Sequence, residues 1–233
     1  MSGKGYDWLD EDEELGVIAL DPEPQPERIK NFEELVQEDS NISLNSLKTY
    51  FDVDTSTVLQ RLKKTLKPFS SSFFEEKAPD LYIPFWGTTT LILVMAAAGN
   101  LGVYMENGLA WHSQASKVIT ATWLLYSLLL GVPFACYCLL SNSGSGVTLL
   151  HLVCLYGYSL VPFIPAAVLC VIPLKLLRWF MMLGAFAWSS CLLLKNVWPE
   201  IQSVMATKKY FAGGLLLSGH FVLALTANLY FFT

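Results

Sequence analysis

Polar and apolar positions along this chain are segregated by region. Before residue 80, apolar residues come singly or in pairs among acids, prolines and amides. From there on, five apolar runs follow one another, over about 84–104, 117–140, 147–172, 176–197 and 210–232. Crossing the hydrocarbon core of a bilayer takes about 20 apolar helical residues. Each run meets that length, and none offers the polar face of a helix at a water boundary. They are read as transmembrane helices. The fourth carries Arg178 and Lys195 near its ends, where long aliphatic stems let a charge reach the interface. Residues 43–67 follow a different rhythm. Leu44, Leu47, Tyr50 and Phe51 recur at helical spacing, and so do Val58, Leu59, Leu62 and Leu66 behind an N-cap at Asp54 or Thr55. Pro68 is expected to end that second helix.

Charge sharpens the division. Residues 1–80 hold 18 of the 20 acids and 9 of the 15 bases; the rest of the chain holds two acids and six bases. A soluble domain of 153 residues needs a charged surface that two acids and six bases cannot supply. The expected fold class is therefore all-α: a polytopic membrane protein with five transmembrane helices in 80–233. An amphipathic helical segment (43–79) and a disordered acidic tail (1–42) precede them. In the tail, Trp8 and Leu9 within an acidic run read either as a short docking motif or as part of a solvated stretch. Met1–Glu14 lacks the apolar core of a cleavable signal peptide.

Basic residues near span ends favour the cytosolic side. With a cytosolic N-terminus, the inner segments hold Arg61, Lys63, Lys64, Lys67, Lys77, Lys195, Lys208 and Lys209; the outer ones hold Lys117, Lys175 and Arg178. A cytosolic N-terminus and a lumenal C-terminus are expected. The triplet Asn41-Ile42-Ser43 then falls on the side without glycosylation. The basic helix just before the first span is expected to lie on the anionic leaflet, through Leu59, Leu62 and Leu66 with Arg61, Lys63, Lys64 and Lys67. Packing on a partner or on the protein's own bundle is the competing use. All five cysteines lie in apolar runs, so no disulfide framework is expected; Cys136 and Cys138, near a helix end, also fit the pattern of acylated cysteines.

The border between the two regimes reads Asp80-Leu81-Tyr82-Ile83-Pro84-Phe85-Trp86. Proline suits the first helical position, because its missing N–H has no partner there anyway, and it biases the residue before it toward extended backbone. Asp80–Ile83 is thus expected as an extended lead-in, with Pro84 opening the helix. Tyr82 and Trp86 suit the headgroup belt. Asp80 is placed to accept from the free N–H groups of the first turn.

The same residues resemble a known family. The Yip family, membrane proteins of the early secretory pathway that interact with Rab GTPases, carries DLYGP at the start of its first span, and here it stands as Asp80 to Pro84. A Gly-Tyr pair in the third span has its counterpart in Tyr156-Gly157-Tyr158-Ser159-Leu160, and a phrase like FFDVDT in Tyr50 to Thr55. Gly99-Asn100-Leu101, Ile164-Pro165, Ile172-Pro173, Arg178-Trp179, Trp198-Pro199 and Tyr230-Phe231-Phe232 fit in order, over roughly 47–233. Ile83 stands where the family has glycine. The resemblance implies a Golgi and ER–Golgi membrane protein in vesicle-mediated transport, a docking or scaffold factor for Rab GTPases and other Yip proteins. Asp80, Leu81, Tyr82, Pro84, Tyr156, Gly157 and Tyr158 are then the candidate partner-contact residues.

Other chemistry finds little footing. His112, His151 and His220 lack the spacing of a metal site, and acids are sparse between 107 and 199. Hydrogen bonding between helices is the expected role of His151 and His220. The SNSGSG turn at 141–146 lacks the lysine of a phosphate loop, Ser189, Ser190 and Ser218 have no evident base, and the acidic segment does not suit nucleic acid. No enzyme activity, metal or cofactor is expected. The competing class is a small-solute transporter, channel or lipid-handling protein, for which the third span, interrupted by Gly157, Pro162 and Pro165, is the motive.

Overall fold

The computed structural model describes residues 48–67, 79–108, 112, 114–141, 147–204 and 209–232. The acidic tail, Asn41 to Ser43, Pro68, Lys77, Lys208 and the turn at 142–146 lie outside them. Among the described residues there is no strand. The elements are α1 (Thr55–Thr65), α2 (Tyr82–Asn107), α3 (Ser116–Ser141), α4 (Leu149–Ser159), α5 (Phe163–Leu169), α6 (Lys175–Val204) and α7 (Lys209–Thr226). The last continues as a π-helical turn, Ala227–Phe231. Five helical stretches are long and apolar enough to cross a membrane, with α4 and α5 together forming the third.

The third span is the axis of the bundle. Every residue from Leu152 to Leu160 is buried, and α4 packs against α2, α3 and α6 while α7 closes on α3 and α6. Its start is set by Thr148, whose Oγ1 accepts from the His151 N–H at 3.3 Å and contacts His151 Nδ1 at 2.6 Å. His151 therefore bonds back to its own helix cap. The interruption follows from proline chemistry. Pro162 has no N–H to continue α4, so the backbone tightens into bonds three residues apart: Leu160 N–H to Gly157 O and Val161 N–H to Tyr158 O, both 3.2 Å, and Phe163 N–H to Leu160 O at 3.0 Å. Pro165 then lies in the first turn of α5, where a missing donor is harmless.

The start of the first span differs from the expected extended lead-in. The helix begins at Tyr82 and Leu81 caps it with φ −105° and ψ 3°, so Ile83 is helical and Pro84 is the third helical residue. The first four N–H groups of a helix have no intrahelical acceptor, so proline fits any of the first three positions as well as it fits the first. Ile83, helical and half-buried, packs against the core and occupies no conformation that glycine alone allows.

Gly157 shows why the two family motifs are short of side-chain bulk where they meet. A Cβ added there would lie 2.5 Å from Pro84 Cα, so α2 crosses α4 backbone against backbone. Gly157→Ala is expected to force the helices apart and to cost about 1–3 kcal/mol. Gly131→Ala, in α3, meets nothing within 4 Å and is expected to be neutral or to gain up to about 1 kcal/mol of helix propensity. Unfolding of the detergent-solubilised protein in a denaturant series compares the two, and equal stabilities would contradict the close crossing.

Candidate functional site

At the head of the bundle, α1 presents an inverted face. Its buried positions are Thr57, Arg61 and Thr65, one turn apart, while Leu59 and Leu66 are exposed. Arg61 was expected on the outward basic face; it turns inward instead and is 5% exposed. The cause is Asp80, itself 2% exposed, whose Oδ2 forms an ion pair with Arg61 Nη1. Lys63 and Lys67 stay exposed, and Leu62 and Lys64 are half-buried.

Asp80 gathers three elements. Its Oδ1 accepts the Tyr82 N–H at 3.1 Å, which is the expected service to the first turn of α2. The Tyr158 hydroxyl, from α4, donates to its Oδ2 at 3.2 Å and lies 3.4 Å from Oδ1. The Arg61 pair brings in α1. A carboxylate has about four acceptor positions, so one side chain can satisfy all three donors. The position is well inside the protein: Tyr158 lies nine residues along from Leu149, which at about 1.5 Å per residue is roughly 13.5 Å. Two further bonds hold α1 and the segment before it. Leu81 N–H donates to Tyr50 O at 3.1 Å, and Trp188 Nε1, on α6, donates to Thr65 O at 3.0 Å. The Thr65 hydroxyl turns back to Arg61 O at 3.1 Å, so burying it leaves no open donor.

Of the residues read as partner contacts, Tyr82 is exposed and Leu81 half-buried. Asp80, Pro84, Tyr156, Gly157 and Tyr158 are buried among the helices. Below them runs a polar seam that joins three spans. Ser159 Oγ lies 2.9 Å from His220 Nε2 on α7, and Ser189 Oγ on α6 donates to Ser159 O at 2.5 Å. Tyr156 stacks edgewise on His220 with ring centroids 4.5 Å apart. His220 thus makes the interhelical bond expected of it.

The opposite end holds two buried cations that were expected in loops or reaching for the interface. Lys117 Nζ donates to Gly99 O and Phe231 O, both at 3.1 Å. Arg178 Nε donates to Cys170 O at 3.0 Å and Ile172 O at 3.1 Å, its Nη1 to Phe232 O, and its Nη2 to Glu106 Oε1 at 3.2 Å. The Cys170, Phe231 and Phe232 acceptors are carbonyls at helix C-termini, the negative pole of the dipole, whereas Gly99 O belongs to the interior of α2 and Ile172 O lies just past α5. Gly99 admits this arrangement, because a Cβ there would lie 2.5 Å from Phe231 O. Among the described residues, no group of three or more His, Cys, Asp or Glu is placed to hold a metal ion, and all five cysteines are free thiols.

An all-helical bundle with five membrane-length spans, closed at each end by buried charge, defines a multi-pass membrane protein. Residues 64–226 match the Yip1 domain, and the chain belongs to that family. Among curated relatives it is 32% identical over 186 residues to Protein YIPF1 homolog of Dictyostelium discoideum, covering 78% of this chain and 54% of that one. It is 27% identical over 202 residues to Protein YIP5 of Schizosaccharomyces pombe, covering 81% and 80%. With the protein transport protein YIF1 of Saccharomyces cerevisiae it shares 27% over 175 residues, covering 67% and 54%. The chain thus spans about half the length of two of these relatives. No solved structure matches it.

Removing one partner of a buried ion pair typically costs about 3–5 kcal/mol, because it leaves the other charge uncompensated. Asp80→Asn keeps an acceptor for the Tyr82 N–H but strips Arg61 of its counter-charge, so it is expected to fall in that range. Arg61→Met combined with Asp80→Asn is expected to recover most of the loss. A double-mutant cycle by chemical unfolding measures the coupling, and additive losses would show that the pair is not one unit.

Proposed function

We propose that this protein is a Golgi and ER–Golgi membrane protein acting in vesicle-mediated transport, a docking or scaffold factor for Rab small GTPases and for other Yip-family proteins. Family membership supports the reading, as does a relative named as a protein transport protein. The observation that carries it is the way Asp80 pins α1 to the bundle. That contact spends the polar side of α1 on the interior and leaves Leu59, Lys63, Leu66 and Lys67 facing outward, together with Tyr82 at the start of α2. An exposed mixture of leucine, lysine and tyrosine held on a fixed base suits a protein contact better than a solvated face. In this reading the N-terminus and α1 are cytosolic, where GTPases are found, and the C-terminus is lumenal, in keeping with the excess of basic residues on the inner segments. The buried motif residues Asp80, Pro84, Tyr156, Gly157 and Tyr158, with half-buried Leu81, serve by holding that surface in place.

Two measurements test this. Protease treatment of intact microsomes is expected to remove an epitope at Met1 and to protect one at Thr233; two accessible ends would contradict the orientation. In affinity isolation from Golgi membranes, Tyr82→Ala and Leu59→Ala are expected to lower Rab and Yip-relative recovery roughly tenfold, about 1.4 kcal/mol for one interface anchor. Expression and topology should stay unchanged, since both side chains are exposed. Unchanged recovery from both variants would remove this surface from the proposed contact.

A further inference from the structure

Beside the interruption of the third span lies an open apolar groove of about 550 Å³. Pro162 and Pro165 form one wall, Phe180, Gly184 and Trp188 of α6 the other, and Leu66 at the end of α1 closes the top. The two walls belong to helices long and apolar enough to cross a membrane, so the surroundings of the opening are lipid. Its size falls within the range of about 300–1,000 Å³ typical of small-molecule sites. From Trp188 to Phe180 the groove runs along eight residues of α6, about 12 Å at roughly 1.5 Å per residue. Gly184 opens it further, since a Cβ there would meet nothing within 4 Å.

We propose that this groove binds one acyl chain of an anionic phospholipid, with the headgroup held by Lys63 and Lys67, so that of the surface proposed for partners these two lysines and Leu66 face lipid while Leu59 and Tyr82 remain for the protein contact. The charge placement selects the lipid. Lys63 lies one turn before Leu66 on the same exposed stripe of α1, and Lys67 follows it directly; both are exposed. Leu66 is thus the hinge between an apolar slot and a basic rim. The Trp188 to Thr65 bond fixes the rim to the slot wall, so headgroup and chain are read by one rigid unit. A basic residue near an anionic headgroup surface contributes about 1 kcal/mol, which two lysines turn into a preference of roughly thirtyfold at most.

The test places the full chain in nanodiscs doped with phosphatidylserine or phosphatidylcholine carrying a photoreactive diazirine on the acyl chain, and maps cross-links by mass spectrometry. The serine lipid is expected to label 162–169 and 180–188 several-fold more than the choline lipid does. Trp123, a 76% exposed position on α3, should take both equally as a marker of bulk lipid. Gly184→Leu, which fills the slot, is expected to lower labelling at 180–188 at least fivefold and to leave Trp123 unchanged. Lys63→Gln with Lys67→Gln, two surface changes that do not threaten folding, is expected to bring the serine lipid down to the choline level. Equal labelling by the two lipids in the unaltered chain, or labelling indifferent to Gly184→Leu, overturns the proposal. Protection of 180–188 from both lipids together with a dimer by light scattering assigns the face to a second copy and also overturns it.

Discussion

A carboxylate and a guanidinium buried together set the terms for everything at the head of this bundle. Burying either Asp80 or Arg61 alone would be costly, because the desolvation of a single ion in a low-dielectric interior costs several kcal/mol. Together, with Tyr82 N–H and the Tyr158 hydroxyl as further donors to the carboxylate, they become compatible with burial. The helix before the first span, the start of that span and the middle of the third are therefore fixed relative to one another by a single side chain. The backbone crossing of Pro84 on Gly157 lies at the same level, so steric fit and charge pairing reinforce each other.

The other end obeys the same rule with different parts. Lys117 and Arg178 bring basic groups into the protein, but their chief partners are backbone carbonyl oxygens, with Glu106 as a further partner of Arg178. Carbonyls carry partial charge, so several are needed for each cation, and those two residues gather backbone from α2, the end of the third span and the last turn of the fifth. Between the two ends, neutral hydroxyls and one imidazole suffice, since neutral groups cost far less to bury.

Much of this was legible in the sequence. Five apolar runs with few charges among them dictate five spans, and Asp80 beside the first turn of a helix reads as a group that accepts from it. Gly157 was recognisable as a place for a close neighbour, though nothing in the pattern said that the neighbour would be Pro84. The pairing of Arg61 was hidden because it is a contact between residues 19 apart on separate elements. In a helical projection Arg61 falls in with three lysines, and only tertiary structure shows which of the four turns inward to a carboxylate. A clue existed in Thr57 and Thr65, which share its stripe: small polar residues flanking an arginine at four-residue spacing suit an inward polar face. Lys117 and Arg178 were misplaced for a related reason. Basic residues at span ends are ordinarily drawn toward water, and only the short loops and returning helix of this fold bring enough carbonyls within reach to hold them.

The two cations have a consequence for biogenesis. Lys117 and Arg178 emerge from the ribosome well before Phe231 and Phe232, whose carbonyls they finally hold. Until the fifth span is inserted, Lys117 lacks its Phe231 acceptor and Arg178 its Phe232 acceptor, while Gly99 O, Cys170 O, Ile172 O and Glu106 are already in the chain. The arrival of the last helix completes both sets of acceptors in one step. The order of synthesis thus makes the hydrogen bonding of these two side chains a record of whether the bundle's assembly is complete.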